Sequence, residues 1–328
     1  MSRAIASLGR FEAAGVIPER FAGAIKAMRD SESGGLAYLA HEYLNEHWRP
    51  VYHADVARAF ATAKLSYAAS TDLLKNFHNM VLTDAQRQLI AEIPLPELRE
   101  TLKDFCTAER FRQDVYVRGA RRMSARRRET LLAPLALTLT RHPPPLLQIS
   151  RPDGSLLRPA PEAYQAFMQA LTQRPHTVAE LLALPDLPAD HRVGPVELVG
   201  ILVGVGLATP FVSATAAMKA RARRLNDLVD PEDARRAGAT VAAPNTGLGV
   251  TLNPLHYALY EALQTGEPID PAALAAVFVA RCREGGGHPV IDGRVIENDD
   301  EARAEIARDY AERGPLMAPL WEMMGLVD

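Results

Sequence analysis

Tyr38-Leu39-Ala40-His41-Glu42-Tyr43-Leu44-Asn45-Glu46-His47-Trp48-Arg49-Pro50 sets five ionisable side chains, three aromatics and an amide in one short segment. The pattern predicts a helix over about 36–48, ended by Pro50. At about 100° per residue, Tyr38, His41, Glu42 and Asn45 share one arc. Leu36, Leu39, Ala40, Tyr43 and Leu44 occupy the other side. One side can therefore enter a core while the other presents an imidazole, a carboxylate and an amide together. Few core helices tolerate that polar density, so the arc is a candidate functional face.

Outward from this run the chain reads as mostly α with minor β, an α+β class. Residues 1–30 carry a helical apolar pattern that stops at Ser31-Glu-Ser-Gly-Gly35. A helix is expected from about Ala54 to Ala69, with Val56, Phe60, Ala63 and Tyr67 as its inner stripe. Thr83-x-x-Gln86 and Thr177-x-x-Glu180 are capping-box patterns. Pro96 suits the first turn of a helix carrying Leu98, Leu102 and Phe105. Val115-Tyr116-Val117 and Leu135 to Thr140 read as strands, and Leu146 to Leu157 as a hairpin around Pro152-Asp-Gly. Three short helices over 161–207, then Thr209 to Ser213, resemble a winged-helix module. Strands over 239–243 and 248–252 flank Pro244-Asn-Thr-Gly247. Helices are expected over 254–265, 271–284 and 300–312, then from Pro315 to Leu326.

Composition narrows the function classes. The 328 residues are 48% hydrophobic and 23% charged, with net charge −3. Nothing global points to nucleic acid or an anionic membrane. Cys106 and Cys282 are far apart, which fits a reducing, cytoplasmic compartment without a disulfide framework. Charged residues interrupt the first 30 positions, so no signal-peptide core is read there. Val196 to Ala208 is too short to span a bilayer.

The opening run, with Trp48-x-Pro50-x-Tyr52 and Ala63-Lys64-Leu65-x-Tyr67, resembles the methyltransferase regulatory domain family. The likeness continues through Lys103-Asp104-Phe105 and Arg110-Phe-Arg112-Gln-Asp114-Val-Tyr-Val-Arg118-Gly119. A weaker likeness covers Leu225-Asn226 and Ala242-Ala-Pro-Asn245-Thr-Gly247-Leu-Gly249. In that family the domain follows a class I S-adenosylmethionine-dependent methyltransferase domain, and members include outer-membrane-protein lysine methyltransferases. The residue pattern and the resemblance together divide the chain into a helical remnant or linker (1–34), a helical regulatory-like domain (35–120) that the resemblance implies, a β-containing linker (121–160), and a winged-helix-like module with a C-terminal helical region (161–328). Only 37 residues precede Tyr38. They hold no Gly-rich strand end of the kind that approaches such a cofactor. The expectation is a truncated or stand-alone regulatory half that binds no cofactor alone, with S-adenosylmethionine implied for the complete enzyme.

Two groups of residues carry candidate chemistry. Tyr38, His41, Glu42, Asn45, Trp48 and Tyr52 form a substrate-facing wall on one reading, and an interdomain contact on the simpler one. An amine acceptor must lose a proton, which an imidazole or carboxylate can take, and aromatics favour cations. Arg110 to Arg128 holds eight arginines, at 110, 112, 118, 121, 122, 126, 127 and 128. Arg121, Arg122 and Arg126 are docking candidates for an acidic protein or phosphate-bearing partner, against a solvated helix face with local pairing. Arg112 and Arg118 lie inside the family-like motif and are expected to pair structurally, with Asp104 or Asp114. Gly200-x-x-x-Gly204 reads as close helix packing rather than a nucleotide loop. The scattered histidines and the two cysteines show no metal-ligand spacing.

DNA binding by the 160–213 region is disfavoured, because it holds two Arg, no Lys and five acids. The leading expectation is the regulatory and substrate-binding portion of a class I methyltransferase, of the protein-lysine type, inactive without a cofactor domain. Its partners would be that domain in cis or trans, a protein substrate, and a second copy as homodimer, with no nucleic acid and no membrane. The alternatives are a non-enzymatic dimerisation or interaction scaffold and, behind it, a winged-helix transcriptional regulator.

Overall fold

The computed structural model describes residues 7, 10, 11, 14, 41, 46, 47, 49–151, 153–266, 269–291 and 294–327. Met1–Ala63 and Lys64–Asp328 form two compact units. In the first, α1 (His53–Thr62) starts just after Pro50 and buries His53 and Ala54.

The expected helix from Ala54 to Ala69 is half strand. Lys64 takes the left-handed conformation at φ 59°, which a helix does not accommodate. The chain then enters β1 (Leu65–Ser70), antiparallel to β2 (Asp114–Arg118). Of the expected inner stripe, Val56 is half-buried in α1, Phe60 is exposed and Ala63 follows the end of the helix, while Tyr67 stands opposite Tyr116 across the ribbon, with ring centroids 5.8 Å apart. A 3₁₀ turn (Leu73–Asn76), α2 (His78–Val81), α3 (Asp84–Ala91) and α4 (Pro96–Thr107) bridge the two strands. The Thr83/Gln86 capping box forms, and Pro96 occupies the first turn of α4.

Beyond α5 (Ala125–Leu132) come β3 (Ala136–Leu139), the short hairpin β4 (Ile149–Ser150) and β5 (Leu156–Leu157), and α6 (Pro161–Gln173). Next are β6 (His176–Thr177), α7 (Val178–Leu182) with its Thr177/Glu180 capping box, α8 (Pro195–Gly204) and β7 (Ala208–Phe211). The three helices read from sequence are present. Their sheet has the order β6-β3-β7, and its central strand comes from upstream. Leu137, Leu139, Tyr164, Phe167, Leu198 and Ile201 fill the core of this layer.

The last third holds α9 (Ala216–Asn226), α10 (Pro231–Ala237), the hairpin of β8 (Ala239–Ala243) and β9 (Leu248–Leu252), α11 (Pro254–Gln264) and α12 (Pro271–Glu284). The small hairpin of β10 (Val290–Ile291) and β11 (Arg294–Val295) precedes α13 (Asp299–Met324). Two C-terminal helices were expected, and the chain makes one, with Pro315 and Pro319 inside it. Proline removes a helical donor and crowds the preceding turn. Here packing overrides that preference: Ile306, Tyr310, Trp321 and Met324 all enter one core with Val241, Tyr257 and Val279. Leu320 enters the other core, so α13 joins both.

Gly200 and Gly204 behave as close-packing glycines. A Cβ on Gly200 would lie 2.3 Å from the Phe77 ring, and one on Gly204 2.9 Å from Leu74 Cγ. Gly200→Val is expected to lower unfolding free energy by about 1–3 kcal/mol through overpacking, measured by urea denaturation. An unchanged midpoint would show that Phe77 moves aside without cost.

Candidate functional site

Among the described residues, a dense cluster of paired charge lies between α4 and the β1–β2 ribbon. Arg112, just before β2, places its guanidinium among three carboxylates. Its Nη1 meets Asp104 at 2.5 Å, its Nε meets Asp114 at 2.8 Å and its Nη2 meets Glu100 at 3.0 Å. The same Nη2 donates to the Tyr67 hydroxyl at 3.2 Å, and the guanidinium lies 5.5 Å from the Tyr67 ring centroid. The Tyr67 hydroxyl donates in turn to Glu100 at 3.2 Å.

Helical spacing adds Lys103. At i+3 from Glu100 it reaches back at 2.6 Å and donates to the Lys75 carbonyl at 3.1 Å, while only 2% exposed. Lys75 pairs with Glu109 and, at 3.3 Å, with Asp72. The Asn76 side chain accepts from Ser70 N–H and donates to Ser70 O, both at 2.9 Å, closing the end of β1.

The electrostatics decide what this cluster can do. Burial by itself would raise the Glu100 carboxyl, but the surrounding donors outweigh it and hold it well below the usual carboxylate range. The His78 ring nitrogen is 3.9 Å away, beyond hydrogen-bond reach, so Lys103 and Arg112 carry that effect. Burial, followed by the nearby Glu100 charge, raises the Tyr67 hydroxyl far above its ordinary value. Glu100 therefore stays ionised and Tyr67 neutral across physiological pH. The cluster fixes geometry; it does not exchange protons.

The pairing of Arg112 with Asp104 and Asp114 matches the sequence expectation. Arg118 ends β2 exposed, without an ion pair among the described residues. Glu100 and Lys75 were missed; the Glu100-x-x-Lys103 spacing was the available signal for the first.

Of the substrate-facing candidates, His41 is helical and exposed, and Tyr52 caps the start of α1 at 60% exposure. Tyr38, Glu42, Asn45 and Trp48 lie outside the described residues, as does the apolar side of that helix. The docking candidates Arg121, Arg122 and Arg126 are all exposed, the first two before α5 and the third within it. Among the described residues Arg112 alone of the eight arginines forms an ion pair, so the local pairing considered for the others is not made. No described group of His, Cys, Asp and Glu has the arrangement of a metal site. No helix among the described residues is long and apolar enough to cross a membrane.

Comparison with known proteins returns a family match over the segment that includes this ribbon and helix. Residues 36–118 match the family described as "Predicted methyltransferase regulatory domain". A curated relative, the uncharacterized protein sll1526 of Synechocystis sp., is 24% identical over 302 residues. That alignment covers 86% of this chain and 56% of the relative, so the chain spans about half the relative's length. Among solved structures, PKMT2 from Rickettsia typhi in complex with AdoHcy matches with a TM-score of 0.53 at 14% identity. The match covers 99% of this chain and 67% of PKMT2. At that identity the likeness concerns the fold.

Arg112→Ala would leave Glu100, Asp104 and Asp114 facing one another. It is expected to cost about 3 kcal/mol in a urea melt. Because the Glu100 carboxyl is depressed in the folded state, its stabilisation is complete above the ordinary carboxylate value. It is lost as pH falls through the depressed one. Glu100→Gln should therefore be less stable at neutral pH and show a shallower fall in stability below about pH 5. An acid-unfolding curve parallel to that of the parent would show that Glu100 is not the coupled group.

Proposed function

We propose that this chain is the regulatory and substrate-binding portion of a class I S-adenosylmethionine-dependent methyltransferase of the protein-lysine type. The observation that carries the reading is the family match over residues 36–118. The fold likeness to PKMT2 along nearly the whole chain supports it. A class I cofactor cleft lies at the carboxyl ends of parallel strands. The sheets among the described residues are antiparallel, of two or three strands. We therefore assign binding of that cofactor to a further domain, in cis or in trans.

In this scheme S-adenosylmethionine, bound by that domain, supplies the methyl group. This chain contributes the wall that receives the acceptor. Methyl transfer needs a neutral nucleophile held in line, and positioning provides much of the rate. His41 is exposed where an incoming amine can be oriented and deprotonated, and Glu42 is the next residue in sequence. Tyr52 offers an exposed aromatic ring nearby in sequence, suited to an ammonium group before it loses its proton. Arg121, Arg122 and Arg126 offer fixed positive charge to an acidic stretch of the substrate protein.

Two measurements test the reading. Calorimetry of the purified chain with S-adenosylmethionine should show no binding in the micromolar range, and micromolar binding would overturn the division of labour. With a matching cofactor domain supplied, His41→Ala and Glu42→Ala should each lower kcat for methylation of a lysine-containing protein by about 100-fold. Unchanged turnover in both would reduce the face to packing. In the same assay, replacing Arg121, Arg122 and Arg126 together by Glu should raise KM with little change in kcat.

A further inference from the structure

Between α9 and the β8–β9 hairpin lies a groove of about 390 Å³, within the range of cavities that anchor ligands. Met218, Ala222 and Leu225 recur at helical spacing along α9 and form one wall. The hairpin supplies the floor. Val241, Ala243 and Leu252 point into the core, so alternation turns Thr240, Ala242 and Gly249 the other way. Ala242 and Gly249 stand directly opposite each other, which keeps the floor low. A Cβ on Gly249 would come within 2.6 Å of Thr240 Cγ2.

The groove is held open by two asparagines. The Asn226 side chain accepts from Ala242 N–H at 2.7 Å and donates to Ala242 O at 3.2 Å, tying α9 to β8. Asn245 Oδ1 accepts from Ala214 N–H at 3.2 Å, and Asn245 Nδ2 donates to the Met323 carbonyl at 2.8 Å. A site preformed in this way does not lose affinity to ordering the protein.

Charge selects the occupant. From Val212 to Asn226 there is no acid, and α9 carries Lys219, Arg221, Arg223 and Arg224. Arg221 lines the groove, no carboxylate lines it with Arg221, and Arg221 has no ion pair among the described residues. The apolar surface continues past the rim, where Leu225 is 58% and Leu248 48% exposed. A small-molecule site encloses most of its ligand; this open groove suits a length of chain. It has no aromatic ring on which a nucleobase could stack.

We propose that this groove binds an extended acidic–apolar segment of a partner protein, with apolar side chains against Met218 and Leu225 and a carboxylate on Arg221. A guanidinium receives a carboxylate through two parallel hydrogen bonds, which fixes the register of the bound segment. The site is separate from the methyl-transfer reading and stands on different residues.

The probe is a fluorescein-labelled peptide alternating Leu and Asp, titrated with the full chain and followed by anisotropy. Saturable binding is expected. Arg221→Glu should weaken it about tenfold, the worth of a charged hydrogen bond, and should confer binding of the matching Leu/Lys peptide. Arg221 is exposed, so this variant is expected to fold, which a circular dichroism spectrum matching that of the parent would check. Gly249→Leu, which raises the floor, should abolish binding. Equal binding of the Asp and Lys peptides by the parent chain would overturn the proposal, as would an unchanged affinity in Arg221→Glu. Saturable binding of decanoate without binding of the peptide would also overturn it, in favour of a small-ligand pocket. Retention on phosphatidylglycerol vesicles without binding of the peptide would overturn it in favour of a membrane-surface helix.

Discussion

A single guanidinium, that of Arg112, stands between three carboxylates contributed by α4 and β2. Opposite unit charges about 4 Å apart attract by roughly 4 kcal/mol at the effective dielectric of a protein surface, and like charges repel by the same measure. Glu100, Asp104 and Asp114 could not share this space without a cation at its centre. A two-stranded ribbon is marginal alone, and β1 meets β2 only after the whole of α2 to α4 has intervened. The ion cluster supplies what the ribbon lacks, because it joins the helix to the strand that closes the loop. Lys103 completes it from the buried side and carries the connection to the Lys75 carbonyl.

From that carbonyl the constraint passes into the rest of the second unit. Leu74 and Phe77, on either side of Lys75, fill the spaces left by Gly204 and Gly200 of α8. That helix packs in the same core as α6 and β3, where Leu320 of α13 also enters. One residue later, Trp321 belongs to the other core and packs edge-on against Tyr260 at 6.3 Å. The Asn245 N–H then donates to the Met324 carbonyl, which fixes the turn of the β8–β9 hairpin. The groove on that hairpin is thus connected, within the second unit, through packed side chains and backbone bonds to the Arg112 cluster.

What was legible in the sequence follows the range of the interaction that decides it. The capping boxes at Thr83 and Thr177 rest on bonds three residues apart, and both formed where they were read. The glycine pair in α8 was legible because an apolar helix with small residues at i and i+4 has few other uses. The run from Ala54 to Ala69 misled because its apolar spacing suits a helix, while the fate of Tyr67 is decided by Tyr116 and Arg112, far along the chain. The merged helix α13 was hidden for a related reason. Proline is a local stop signal, and two cores that share one helix override it. At the candidate site, Asp104 and Asp114 were readable partners for Arg112 because they are near it in sequence. Glu100 was not singled out, and the groove beside Arg221 depends on a hairpin folding back against a helix.

The polar residues of the described chain divide into two populations with different uses. Those of the Arg112 cluster are mutually satisfied; an ionised Glu100 held by Lys103, Arg112 and Tyr67 has little basicity left for an incoming proton. Their use is to make the domain stiff. The exposed population includes His41, the arginines around α5, and Arg221 in its groove. Exposed guanidinium groups without ion pairs retain their capacity for carboxylates, and a rigid scaffold spares them the cost of being ordered on contact. The paired charges thus stiffen the fold, while the exposed ones remain open to solvent.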